Sequence, residues 1–190
     1  MKRIAIAQQY VEEVLRQRQD IVAAWIVGSV ARGEETEFSD IDLTLMVAGT
    51  GEINRAGLDT WREGIYLEVA LTFQQAYVDL ETVLNDPFKA THMNDALILY
   101  DPTGFLTQLQ NAVRPLYMQP QWLEKRLAYW LTNLRTSLVN FREALTNMEP
   151  LPICAALGWF TFGCTSIPLL RAGITPSSTR GLLLLERVDP

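Results

Sequence analysis

Asp40 and Asp42, separated by the apolar Ile41, are the residues of this chain best suited to chemistry, and upstream, with ten residues between, stands a Gly28-Ser29 pair. In an extended strand side chains alternate, so Asp40 and Asp42 share one face while Ile41 turns to the core. Two like charges so placed repel unless a cation lies between them. Oxygen ligands of this kind suit Mg²⁺, a hard ion usually shared between carboxylates and substrate phosphates. Glu68 is a third acid, set between Leu67 and Val69 in an apolar stretch. A carboxylate there is costly unless it meets a cation or a proton. If its strand neighbours that of Asp42, the three acids share a face.

The segments Gly28-Ser29, Arg32-Gly33-Glu34 and Ser39-Asp40-Ile41-Asp42-Leu43, with an apolar strand on each side, carry a resemblance. The chain resembles the nucleotidyltransferase superfamily that includes DNA polymerase beta, and within it the aminoglycoside and lincosamide nucleotidyltransferases. The resemblance implies a Mg²⁺-dependent transfer of a nucleoside monophosphate, AMP from ATP or another nucleoside triphosphate, to a hydroxyl of a small molecule. Two Mg²⁺ ions are expected, held by Asp40 and Asp42, with Glu68 as a third ligand or as the general base. Gly28, Ser29 and Arg32 are expected to bind the β- and γ-phosphates. An aminoglycoside-type antibiotic is the substrate the resemblance suggests. The alternatives are a toxin–antitoxin nucleotidyltransferase that modifies a protein, and a non-catalytic nucleotide-binding relative.

Other roles compete for several of these residues. Arg32 could instead pair with Glu34, Glu35 or Glu37, and Ser39 reads as a cap or turn residue. Arg135, Arg142 and Glu143 lie on a long C-terminal helix whose solvated face explains them as well as a substrate would. Lys89, His92 and Asp95 precede a strand, and a satisfied surface or turn histidine is the favoured reading of His92. The tryptophans read mostly as core.

The elements that must position these residues are legible as apolar runs and their interruptions. A helix is expected over residues 2–19, strands at Ile21–Val27, Ile41–Val47 and Ile65–Phe73, and a short helix from Ser29 to Arg32. Gly49-Thr50-Gly51 should close the second strand. A helix is expected over Gln74–Leu84, broken by Asn85-Asp86-Pro87, then a strand at Ala96–Tyr100 and a helix from Phe105 to Val113. Pro115 and Pro120 bracket an expected linker. Beyond it Leu123, Leu127, Trp130, Leu131, Leu134, Leu138, Phe141 and Leu145 form a helical stripe. A second apolar helix should cover Ile153–Arg171, and a third begin near Pro176. The expected plan is an α/β (α+β) fold: a small mixed-sheet nucleotidyltransferase domain at 1–116, then a helical substrate-binding domain at 117–190. Similar enzymes use such a helical domain to wall the substrate pocket. Leu182–Leu185 comes close to the end of the chain, which suggests an abbreviated helical domain or a helix that docks on a partner subunit.

Composition narrows the partners. Residues 1–118 carry 9 Lys/Arg against 17 Asp/Glu, and residues 119–190 carry 7 against 5. An acidic first half argues against nucleic acid and suits a small, cationic, hydroxylated substrate. With one His and two Cys, Cys154 and Cys164, a structural zinc site is not expected, and the ten-residue spacing on a helix disfavours a disulfide. Polar residues interrupt Ile153–Leu170, so a buried helix is expected rather than a membrane span, and a cytoplasmic protein with no membrane partner. Because pockets in this branch can be completed by a second subunit, a homodimer stays open.

Overall fold

The computed structural model describes residues 2–49 and 58–176, together with 181, 185 and 188. The chain divides into two compact units, Met1–Tyr117 and Met118–Pro190. Thr50 and Gly51 of the expected closing turn, most of the helix expected from near Pro176, and Leu182–Leu184 lie outside the described residues.

The first unit is built on a mixed five-stranded sheet. Helix α1 (Lys2–Gln17) leads into β1 (Ile21–Val27), the single turn α2 (Gly28–Ala31) and β2 (Ile41–Val47). A hairpin follows, β3 (Thr60–Arg62) and β4 (Ile65–Phe73). The strand order is β3-β4-β2-β1-β5, with β5 at Leu97–Tyr100. β1 runs antiparallel to both β2 and β5, β3 is antiparallel to β4, and β2 is parallel to β4. β1 and β2 are nearly continuous apolar runs because both faces of the sheet centre are covered. On one face Ile6, Ala7, Tyr10 and Val11 of α1 join Leu43, Leu45, Leu67 and Val69 in one cluster. On the other, Trp25 and Met46 are fully buried, and Trp25 meets Tyr77 edge-on at 5.7 Å.

Three expectations in this unit are corrected. The expected Gln74–Leu84 helix is a 3-10 turn at Gln74–Tyr77 followed by α3 (Leu80–Asn85), because Asp79 accepts from the Thr82 amide and starts a new helix. Asp86-Pro87 opens a helix as well as closing one. Asp86 accepts from the amides of Phe88 and Lys89, each at 3.0 Å, and Pro87 occupies the first turn of α4 (Pro87–Asp95). Proline's missing N–H costs nothing at that position. Pro115 is no linker residue: it lies inside α5 (Phe105–Tyr117), whose buried stripe Leu106, Leu109, Val113 and Tyr117 carries the helix through it. Gln110 on α5 ties down the end of α4 by donating to the carbonyls of Met93 (3.0 Å) and Ala96 (2.8 Å).

In the second unit α6 (Pro120–Asn147) ends on Met148, which takes a left-handed conformation at φ 55°. Pro150 then starts α7 (Pro150–Arg171). The two helices pack closely: Trp130 meets Phe162 edge-on at 5.0 Å, and a Cβ on Gly163 would lie 3.0 Å from Leu134. α7 is long and apolar enough to cross a membrane, and only 33% of its apolar window is buried. The buried helix expected here is buried only in part, since Leu151 and Trp159 are exposed. Of the tryptophans expected to be mostly core, Trp25 and Trp130 are buried, whereas Trp61 and Trp159 are exposed. Cys154 and Cys164 are free thiols.

Candidate active site

Strand geometry brings the three acids together. Ile41 is fully buried, so its neighbours Asp40 and Asp42 turn to the opposite face. The parallel register sets Asp42 directly across from Glu68. A carboxylate oxygen from each of Asp40, Asp42 and Glu68 lies within 4.8 Å of the other two. Asp40 and Glu68 are exposed and Asp42 is half-buried.

The cluster is electrostatically unfavourable by itself. Burial pushes the Asp42 carboxyl up to about 6, with Asp40 and Glu68 adding to the shift and Arg32 opposing it. A divalent cation would relieve that repulsion, and three carboxylates are the donor set that a hard ion such as Mg²⁺ takes. The residues present therefore fit the metal. No His or Cys takes part, which argues against a site selected for softer ions.

Gly28 has two physical reasons to be glycine. Its φ of +73° lies in the left-handed region, and a Cβ there would sit 2.1 Å from Asp42 Oδ2. The register places Val27 opposite Asp42, so the chain leaves β1 against the acid cluster. Ser29 follows within α2, a single turn whose contribution is position rather than a helix dipole. Arg32 is held on two sides: Nε donates to Glu34 Oε2 at 3.0 Å, and NH1 lies 3.5 Å from Asp95 Oδ2. The expected ion pair of Arg32 with Glu34 is therefore present, and the paired guanidinium still acts on Asp42.

Ser39 is a turn residue, as expected: its hydroxyl accepts from the Thr36 amide at 2.9 Å. The loop before Asp40 is clamped from α1. Arg3 donates to the carbonyls of Ser39 (2.9 Å) and Glu37 (2.8 Å), a positioning role that sequence reasoning missed. Asp59 was missed too. Its carboxylate accepts from the Val69 amide at 2.8 Å, beside Glu68 on the hairpin. Neither residue carries a local signal, since each acts across 10 or more positions in the sequence.

The remaining candidates lie on helices α4 and α6. Lys89 pairs with Asp86 at 3.2 Å. His92 sits in the last turn of α4, and burial lowers its imidazole below the ordinary value. Arg135, Arg142 and Glu143 are exposed on α6 in the second unit.

Residues 9–102 match the family model described as polymerase beta, nucleotidyltransferase. Among solved structures the chain is similar to a nucleotidyltransferase-like protein from Exiguobacterium sibiricum 255-15, at 13% identity and a TM-score of 0.47. That likeness covers 96% of this chain and 63% of the other, so the chain spans less than two thirds of that protein's length. No curated protein matches the chain. The stretch 9–102, which holds the Gly28-Ser29 turn and all three clustered acids, is thus similar to the nucleotidyltransferase domain of the polymerase beta family.

Proposed function

We propose that this protein is a Mg²⁺-dependent nucleotidyltransferase that moves AMP from ATP to a hydroxyl of a small cationic molecule, with an aminoglycoside-type compound as the leading candidate. The observation that supports this reading best is the convergence of Asp40, Asp42 and Glu68 within 4.8 Å against a Gly28 that can carry no Cβ. Asp40 and Asp42, with Glu68, would hold the ion; when bound, it supplies positive charge that offsets the triphosphate and polarises the transferring phosphoryl group.

The chain's own residues account for the rest. Gly28 and Ser29 leave room for phosphate oxygens to approach the backbone, where a larger residue would obstruct them. Arg32, already held by Glu34 and Asp95, contributes cationic charge toward the departing pyrophosphate. In the transfer the acceptor oxygen bonds to the α-phosphorus while the bond from that phosphorus to the α–β bridging oxygen breaks. Pyrophosphate leaves, and the acceptor's proton goes to a carboxylate. Glu68 is the candidate for that proton, or else the third ligand of the ion, and it is exposed enough to meet an acceptor.

Incubation with α-labelled ATP, Mg²⁺ and a panel of amino-sugars tests the reading. Label transferred to one of them, lost in Asp42→Asn, is expected. Label found instead on a protein from lysate would contradict the small-molecule reading.

A further inference from the structure

We propose that Trp61 and Tyr66 form an aromatic shelf that receives the acceptor, with a cationic amino group of that molecule lying over the Trp61 ring. The proposal rests on the nucleotidyl-transfer reading and adds to it the place and chemical class of the acceptor.

Strand order supplies the place. In an in-line displacement the attacking and leaving oxygens lie on opposite sides of the phosphorus. The Gly28-Ser29 turn leaves β1, Asp42 lies on β2 and Glu68 on β4, and these strands are neighbours in that order. If the pyrophosphate leaves over the end of β1, the acceptor enters over β4 and β3. The β4 residue two before Glu68, on the same face, is Tyr66, and its cross-strand partner on β3 is Trp61.

Side-chain exposure supplies the chemistry. The two rings lie 5.3 Å apart between centroids, tilted by 50°, and Trp61 is 68% exposed. An exposed tryptophan on an edge strand is unfavourable for a purely structural role and well suited to binding. The surroundings are acidic. Tyr66 hydrogen-bonds Asp59, and the carboxylates of Glu68 and Asp40 act on the same ring. The nearby cation on β3, Arg62, is engaged elsewhere, 2.8 Å from Glu13 and over the Tyr10 ring. Aromatic faces bordered by carboxylates attract ammonium groups and repel anions. A phosphorylated or carboxylated acceptor is therefore disfavoured at this position, and an amine-bearing one is favoured.

Calorimetric titration of the 190-residue protein tests this. The probes are kanamycin, neomycin and spermidine, added in the presence of Mg²⁺ and a non-hydrolysable ATP analogue, whose own binding is measured first. At least one amine should bind, Trp61→Ala should weaken it about tenfold, and Trp61→Phe should retain most of the affinity. Affinity for the Mg²⁺–nucleotide should change less than about twofold, since that ligand sits across the site. Unchanged amine binding in Trp61→Ala, or no amine bound by the unaltered protein, overturns the shelf while leaving nucleotide binding intact. Loss of nucleotide affinity in Trp61→Ala assigns the shelf to the nucleotide and overturns it equally. Failure of the unaltered protein to bind nucleotide removes the transfer reading, and the shelf falls with it.

Discussion

In Asp42→Asn a neutral amide of nearly the same shape takes the place of a carboxylate whose pKa the fold raises from 3.8 to about 6. At about 1.4 kcal/mol per pH unit, ionising Asp42 in the metal-free native state costs at most about 3 kcal/mol. Partial solvent access reduces that, and a gain of about 1–3 kcal/mol for the Asn variant is expected at pH 8. The sign follows from proton linkage. The native state holds the proton more tightly than the unfolded chain, so this contribution to stability is complete below about pH 4 and lost as pH rises through about 6. The advantage of Asn should thus be small near pH 4, roughly half developed at pH 5 and constant above about pH 7. Urea unfolding followed by circular dichroism in the presence of a chelator, at several pH values, measures it. Adding Mg²⁺ should reverse the order, because ligand binding to the native state stabilises only the protein that binds it. An Asn variant no more stable than the parent at pH 8 without metal would refute the argument that the acids are held together at a cost that a cation relieves.

Gly28→Ala should be damaging out of proportion to its size: the left-handed backbone alone costs about 1–2 kcal/mol. Its Cβ must also displace the Asp42 carboxylate, which lies 2.1 Å away, so Mn²⁺ affinity followed by paramagnetic resonance should fall about tenfold or more while the fold persists. Glu68→Gln should lower turnover about a hundredfold or more with a smaller effect on nucleotide affinity; near-normal turnover would place the base elsewhere. Gln110→Leu strips two buried carbonyls, those of Met93 and Ala96, of their donor, and should cost about 2–3 kcal/mol in chemical denaturation.

Much of this site was legible because its parts are local. β1, β2 and β4 appear at their expected bounds, since each is a seven- to nine-residue apolar run with clear interruptions at its ends. The shared face of Asp40 and Asp42 follows from strand periodicity alone. What the sequence could not supply is register: Glu68 meets Asp42 only because β2 and β4 pair in parallel at that position. β3 escaped notice because Thr60–Arg62 is too short to show alternation, and with it went Asp59 and the exposure of Trp61. α4 was misread because Asp86-Pro87 serves equally as a helix stop and a helix start. The polar brackets that steady the site, Arg3 on the loop before Asp40 and Asp95 on Arg32, join residues 36 and 63 positions apart and leave no local trace.

The central claim is that Asp40 and Asp42 form a metal-dependent triphosphate site. Isothermal titration of ATP, with and without Mg²⁺, into the parent protein and the double variant Asp40→Asn/Asp42→Asn tests it most directly. Binding that requires Mg²⁺ and disappears in the double variant is the predicted result. ATP binding of equal strength without metal, or undiminished in the variant, would contradict it.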